Sequence, residues 1–267
     1  MNIHPTAVIH PSASIDGDAT IGAHCVIGEN ARIGRGTIIG NNVTIYKNVT
    51  IGKDNNIFPL TAIGGLPQDI LAREADTRLI IGDNNIIREF VTINVGSEKE
   101  EGLTRIGNNN FLMACCHVAH DCILEDEIIL TNSVLLAGHI KVEKKAVLSG
   151  AAAVHHFTTI GMLSFVGGLS RIVQDVPPFM IAEGNPSKVR GVNVVGLKRA
   201  GFSDKQIADL TLAYKKLFKR DQVQKESMEK LKADESLCEE VRYLINFLEA
   251  REAGKFGRAR EALRKKQ

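Results

Sequence analysis

Isoleucine stands at positions 3, 9, 15, 21, 27, 33, 39, 45, 51, 57 and 63, one every six residues without a gap. The same phase returns at Ile81, Ile87 and Ile93 after an interruption. A second interruption shifts it by one residue, and an aliphatic side chain then falls at 106, 112, 118, 124, 130, 136, 142, 148, 154, 160, 166 and 172. Gly often follows this mark, as at Gly22, Gly28, Gly34 and Gly40. A small or β-branched residue often stands four places after it, as at Ala19, Cys25, Ala31 and Val43. A period of six does not fit a helix of 3.6 residues per turn, and plain strand alternation has no use for the glycine. An unbroken run of eleven isoleucines at one spacing also excludes chance alternation in an ordinary β-protein. The pattern fits a parallel β-helix, in which each short strand closes one side of a triangular coil. The mark and the small residue point inward, and Gly or Asn lets the backbone turn. Three hexads make one coil, so residues 18 apart in the repeat stack at about 4.8 Å.

Two insertions break the solenoid, near 65–79 and 95–105, and insertions in repeat proteins become loops on one face. The hexads end near Ile172, and Asp175-Val176-Pro177-Pro178 forms a rigid exit. From about Ser203 the period becomes helical: Ile207, Leu210, Ala213, Tyr214, Leu217 and Phe218 follow Ser203 as N-cap and Gln206 as its capping-box partner. A second helix is predicted from Ser236 to Ala253, carrying Leu237, Val241, Leu244, Ile245 and Leu248. The expected domains are therefore a β-helix over 1–190 and a small helical domain over 191–267. The basic end of the chain, with Lys255, Arg258, Arg260, Arg264, Lys265 and Lys266, reads as frayed.

Composition narrows the function. The 33 Lys and Arg against 31 Asp and Glu leave a net charge of +2, which gives no electrostatic footprint for nucleic acid. Aromatics at 5% with no Trp are too few for a stacking platform. Five cysteines without a CxxC pair do not make a disulfide scaffold or a cysteine-rich zinc site, and fit a reducing compartment. Cys25, Cys116 and Cys122 fall at the small inward position and read as core. No basic-then-apolar leader follows Met1 and no apolar run approaches a membrane span, so the expectation is a cytoplasmic protein with no transmembrane segment.

Five of the eight histidines, His117, His120, His139, His155 and His156, fall within 40 residues. Coil arithmetic places His120, Gly138 and His156, each 18 apart, in one column, and makes Asp121 and His139 vertical neighbours. A histidine, an adjacent acid and a glycine backbone then converge on one corner. A general base needs an imidazole near its working pKa and a carboxylate to fix its tautomer, and an N–H donor can receive oxyanion charge. A zinc site built on His120 and His139 is the alternative use of the same cluster.

The stretch His117-Val118-Ala119-His120-Asp121-Cys122 closely resembles the catalytic segment of the UDP-N-acetylglucosamine O-acyltransferases, the first enzymes of lipid A synthesis. Leu136-Ala137-Gly138-His139, Ala153-Val154-His155, Gln174-Asp175-Val176-Pro177-Pro178, Gly191-Val192-Asn193, Gly196-Leu197-Lys198-Arg199 and Gly201-Phe202-Ser203 extend the resemblance over essentially the whole chain. It implies a mainly β fold, a left-handed parallel β-helix of hexapeptide repeats followed by a small C-terminal α-helical domain. It also implies a homotrimer with active sites between subunits. The handedness comes from the resemblance alone, since parallel crossovers are usually right-handed.

The resemblance implies His120 as general base toward a sugar 3-hydroxyl, Asp121 as its orienting group and the Gly138 N–H as oxyanion donor. Gln68, Asp69, His117 and His139 match positions holding the glucosamine, and His155, Asn193 and Arg199 match positions around the uridine diphosphate, with His156 beside them. Gly168 matches the position that limits acyl-chain length. The implied donor is a 3-hydroxyacyl group on acyl carrier protein, with no further cofactor and no metal. That acidic partner would meet Lys198, Arg199, Lys205, Lys215, Lys216, Lys219 and Arg220. Leu71 stands where many members carry Lys, His156 replaces a common Gln, Ala200 stands where a second Arg is frequent, and Pro186 where some have His. These changes lie around the sugar, nucleotide and acyl positions, and leave a 3-amino sugar as an alternative acceptor. A zinc-dependent carbonic anhydrase-like protein and a non-catalytic paralogue are the other readings. An N-acyltransferase acting later in the pathway carries a globular domain before its hexads, whereas the marks here begin at Ile3.

Overall fold

A computed structural model describes residues 2–73, 75–219 and 224–263. Nearly every hexad is a strand of two residues followed by a corner, and the strands form three parallel sheets, the faces of a triangular prism. The first face, starting at Asn2–Ile3, has eleven strands, the second, from Val8–Ile9, has nine, and the third, from Ser14–Ile15, has eight. Register follows the predicted spacing: Ile3 pairs with Ile21, Ile9 with Ile27 and Ile15 with Ile33. Across the insertions Ile57 pairs with Ile87 and Ile87 with Leu112. The first insertion thus adds twelve residues, two whole hexads, and keeps the phase. The second adds seven and shifts it by one.

The marks from Ile21 onward are at most 3% exposed and, with the residues four places on, form one continuous core. That inner position also holds Asn55, Asn85 and Asn110, stacked on successive coils. Asn85 Nδ2 donates to Asn55 Oδ1 at 2.9 Å, and the Asn110 amide donates to Asn85 Oδ1 at 2.9 Å. Polar side chains survive there because each supplies the next coil's backbone partner.

The glycines do something other than the sequence suggested. Gly22, Gly28 and Gly34 have no left-handed backbone; the turning is done three places after each mark, by residues such as Asn30, Asn42, Asn48 and Asp54 with φ near +55° to +58°. A Cβ on Gly34 would lie 2.6 Å from the carbonyl oxygen of Gly52 on the next coil. Glycine follows the mark because adjacent coils touch there, while Asn and Asp tolerate the left-handed corner.

Past Ile172, Met180–Gly184 adds a last parallel strand to the first face and pairs antiparallel with Ser187–Val192. Among the described residues four helices follow: α1 (Val194–Arg199), α2 (Asp204–Phe218), α3 (Gln224–Lys232) and α4 (Glu239–Ala253). The capping box of Ser203 and Gln206 is present on α2. The second predicted helix is α4, whose N-cap is Cys238, so it starts three residues later than Ser236 suggested. The hairpin, α1 and α3 were not legible, being too short for a periodic signal. Their apolar faces meet in a second core containing Leu197, Leu210, Leu244 and Leu248. Tyr243 joins this core to the prism by donating to Glu143 Oε2 at 2.7 Å.

The described end of the chain is not frayed. Arg258 is buried, pairs with Glu261 at 2.9 Å and donates to the Val173 carbonyl at 2.7 Å. The Ala259 amide donates to Asp175 Oδ2 at 2.7 Å. Arg264, Lys265 and Lys266 lie outside the described residues, as does Arg220.

Candidate active site

The corner between strand His117–Val118 on the second face and strand Ile123–Leu124 on the third carries the histidine cluster. Val118, Leu136 and Val154 are in register, so His120, Gly138 and His156 form the predicted column, and Asp121, His139 and Phe157 form a second beside it. All three of the latter take the left-handed corner conformation, with φ of +59°, +64° and +60°.

His120 Nδ1 lies 2.8 Å from Asp121 Oδ2, and both side chains are buried. Asp121 also accepts from the Ser97 amide at 2.8 Å and the Ser97 hydroxyl at 2.5 Å. Burial pushes the Asp121 carboxyl up, but the bonds from His120 and Ser97 outweigh it and hold the group below its ordinary range. A carboxylate facing Nδ1 keeps the proton on that nitrogen and leaves Nε2 as the acceptor when the ring is neutral. A Cβ built on Gly138 would fall 2.6 Å from His120 Cε1 and 2.7 Å from Nε2. The Gly138 backbone therefore lies directly against the basic nitrogen, and only glycine permits it.

His139 stacks on Phe157, ring centroids 4.3 Å apart, and meets His120 edge-on at 4.9 Å. His117 Nδ1 bonds the Thr92 hydroxyl at 2.8 Å; burial, then the charge of His120, lowers its pKa. His155 and His156 stand one coil above Gly138 with ring centroids 3.8 Å apart. Of the insertion residues, Gln68 is exposed. Asp69 is held by Lys99, Nζ to Oδ2 2.5 Å, and that contact draws its pKa down. The exposed Leu71 offers no ammonium in this loop; the second insertion supplies one through Lys99.

The remaining predicted residues lie elsewhere. Asn193 is the N-cap of α1: its Oδ1 accepts from the Gly196 amide at 3.1 Å and its Nδ2 donates to the Leu163 carbonyl at 2.9 Å. Arg199 is exposed on the same helix. Gly168 sits on another corner, between strand Phe165–Val166 of the first face and strand Arg171–Ile172 of the second. It is exposed, and a Cβ there would approach nothing nearer than 3.4 Å. Pro186 lies in the turn between the last two strands, and Ala200 is the C-cap of α1.

Sequence reasoning missed Ser97, Lys99, Glu100, Phe157 and Arg260. Phe157 is 18 residues after His139 and the coil arithmetic reaches it. Ser97 and Asp121 are separated by the second insertion, and no spacing rule joins them. For a metal, the ligand atoms of His120, Asp121 and His139 lie within 4.8 Å of one another. Two of them, His120 Nδ1 and Asp121 Oδ2, are already bonded to each other, which suits an acid–base pair.

A prism of stacked two-residue strands with an imidazole–carboxylate pair at one corner defines the class of hexapeptide-repeat transferases. The model described as bacterial transferase hexapeptide (six repeats) matches residues 1–35, and UDP N-acetylglucosamine O-acyltransferase, domain 2, matches 175–256. An acyl-[acyl-carrier-protein]–UDP-N-acetylglucosamine O-acyltransferase of Gloeothece citriformis is 49% identical over 68% of this chain and 66% of its own; the match thus spans just under two thirds of that relative. The Burkholderia lata protein of the same name is 39% identical over 76% of this chain and 79% of its own. A crystal structure of UDP-N-acetylglucosamine O-acyltransferase from Moraxella catarrhalis superposes with a TM-score of 0.89 at 40% identity, over 92% of this chain and 96% of that one. The chain belongs to the UDP-N-acetylglucosamine O-acyltransferase family.

Proposed function

We propose that the chain transfers a 3-hydroxyacyl group from the thioester of acyl carrier protein to the 3-hydroxyl of UDP-N-acetylglucosamine, in lipid A biosynthesis. The observation that carries this reading is the Gly138 backbone lying against the ring of His120 while Asp121 holds the other side of that ring. His120 Nε2 removes the hydroxyl proton as the sugar oxygen bonds to the thioester carbonyl carbon. Asp121 keeps Nδ1–H in place and stabilises the imidazolium. The carbonyl oxygen becomes an oxyanion that accepts from the Gly138 N–H. When that intermediate collapses, the carbon–sulfur bond breaks and the imidazolium returns its proton to the departing thiolate. Ester and free thiol are the products, and no metal or redox cofactor enters the balance.

Asp69 and His139 border the acceptor position, and His117, His155 and His156 extend the same corner. The exposed Lys198, Arg199, Lys205, Lys215 and Lys219, with the half-buried Lys216, offer a cationic face to an acidic carrier protein. Gly168 and His120 lie on different corners of one prism, so a site using both draws them from two chains; this supports a homotrimer with shared sites. Among the described residues no helix is long and apolar enough to cross a membrane, and five free cysteines agree with a cytoplasmic setting.

The test is transfer from 3-hydroxyacyl carrier protein to UDP-N-acetylglucosamine and to its 3-amino analogue, with products read by mass. His120→Ala is expected to lower turnover by about 10²–10⁴-fold in a chain that still folds, with a melting temperature lowered only by the loss of the bond to Asp121. Near-normal turnover in that variant rejects the assignment.

A further inference from the structure

His139 is gripped by two charged residues that neither the spacing of the repeat nor the reading above assigns. Its Nδ1 faces Glu100 Oε1 at 3.0 Å and Asp121 Oδ2 at 3.7 Å. The first pair is an electrostatic approach, and among the described residues neither His139 Nδ1 nor Glu100 Oε1 makes a hydrogen bond. Behind the ring, Arg260 Nε donates to the His139 carbonyl at 3.1 Å, and its Nη2 lies 3.9 Å from Glu100 Oε2. Glu100 comes from the second insertion, and Arg260 from a 3₁₀ turn, Ala259–Leu263, at the far end of the sequence. Both side chains are largely buried against the corner, 23% and 16% exposed.

We infer that Glu100 and Arg260 form a clamp that positions His139: the carboxylate sets its ring tautomer, and the guanidinium fixes both the carboxylate and the backbone that carries the ring. A ring nitrogen facing two carboxylate oxygens carries a proton, because a lone pair there would meet only lone pairs. The neutral ring then keeps its lone pair on Nε2. Phe157 on the ring face blocks tilting, and the anchored carbonyl fixes a backbone already in the left-handed region. The corner therefore holds two imidazole–carboxylate pairs in tandem, His120 with Asp121 and His139 with Glu100. Only the first is local in sequence. The anchor of the second explains why the described end of the chain is ordered: Arg258 and Ala259, held by Val173 and Asp175, deliver Arg260 to the corner.

The clamp rests on the acyl-transfer reading for its kinetic consequence but not for its structural one, so the experiment has two arms. In full-length protein with nitrogen-15 histidine, the ring signals of His139 are assigned by their loss in His139→Asn. The parent is expected to show a protonated Nδ1, and Glu100→Gln to move that proton toward Nε2, since the Gln amide can donate to Nδ1. In the transfer assay, Glu100→Gln and Arg260→Ala are each expected to lower kcat/KM about tenfold, with melting temperatures unchanged. Arg260→Lys, which keeps the charge beside Glu100, recovers most of the loss. The double variant Glu100→Gln/Arg260→Ala is no worse than the poorer single, because the two act on one ring. Unchanged His139 signals in Glu100→Gln, or single losses that multiply in the double variant, overturn the clamp. A parent chain without transfer activity overturns the functional reading instead, and the ring spectrum still decides the clamp.

Discussion

Gly138 and His120 are separated by one coil and nearly touch: a methyl group at 138 would stand 2.6 Å from the imidazole Cε1. The ring cannot swing aside without leaving Asp121, 2.8 Å from its Nδ1. Gly138→Ala is therefore expected to displace the base and close the space in front of the amide, lowering kcat about 100-fold or more. The same substitution at the exposed Gly168, where the nearest atom is 3.4 Å from the built Cβ, leaves the melting temperature unchanged. Transfer rates and thermal melts of the two alanine variants compare a contact at the base with an open corner.

Asp121 receives three hydrogen bonds and has its pKa held down by those bonds against the opposing effect of burial. Its folded value lies below its unfolded value, so the stability it contributes is complete above about pH 4. That stability is lost as the pH falls through the folded value. Asp121→Asn turns an amide NH₂ toward the Ser97 donors and removes the titration. The melting temperature of the parent should exceed that of the variant at pH 7, and the gap should narrow below about pH 4. A gap that stays constant on acidification would show that the carboxylate is not the titrating group.

The prism and the His120 column were legible because the repeat converts sequence distance into spatial distance. Ile57 and Ile87 are 30 residues apart and still pair, since the first insertion is two whole hexads long. The same arithmetic is silent about residues delivered by insertions or by the end of the chain. Ser97, Lys99 and Glu100 reach the corner on a loop with no period, and Arg260 arrives from 121 positions beyond His139. Asn193 came only from the motif resemblance, and in the folded chain its amide also caps α1 and holds the Leu163 carbonyl, contacts that no repeat spacing announces. The glycines were read as turning residues because Gly is the usual solution at a left-handed corner; among the described residues Gly36 is the one repeat glycine with that role, the other corners are held by residues from Asn and Asp to Leu60, Phe90 and Lys145, and the glycines after the mark serve the contact between coils.

That contact gives a stability prediction independent of function. A Cβ at Gly34 would meet the Gly52 carbonyl oxygen at 2.6 Å, whereas one at Gly191 would meet nothing within 4 Å. Neither position has left-handed backbone, so steric approach alone separates them. Gly34→Ala is expected to destabilise the chain by about 1–3 kcal/mol through overpacking, while Gly191→Ala stays within about 0.5 kcal/mol of the parent. Chemical denaturation of both variants measures the difference, and equal midpoints would mean that adjacent coils are not in contact at Gly34.

The separation of His120 and Gly168 onto different corners leads to a complementation experiment. Suppose each site takes its base from one chain and its acyl-chain limit from the next. His120→Ala then disables the base, and Gly168→Met blocks long acyl chains at the neighbouring corner. Each homogeneous oligomer would fail to transfer a long 3-hydroxyacyl group. In a mixed trimer, a chain carrying Gly168→Met still provides an intact His120, and a chain carrying His120→Ala still provides an intact Gly168. One junction of that trimer joins the two intact residues. Unfolding and refolding equal amounts of the two variants together is therefore expected to restore long-chain transfer to about one site in four, one in three within the mixed trimers, read by product mass against each variant refolded alone. Mixtures that stay inactive while forming mixed trimers would place both residues in a site within a single chain. The two corners are held apart by the second face of the prism, so that outcome would also require the acyl chain to cross that face.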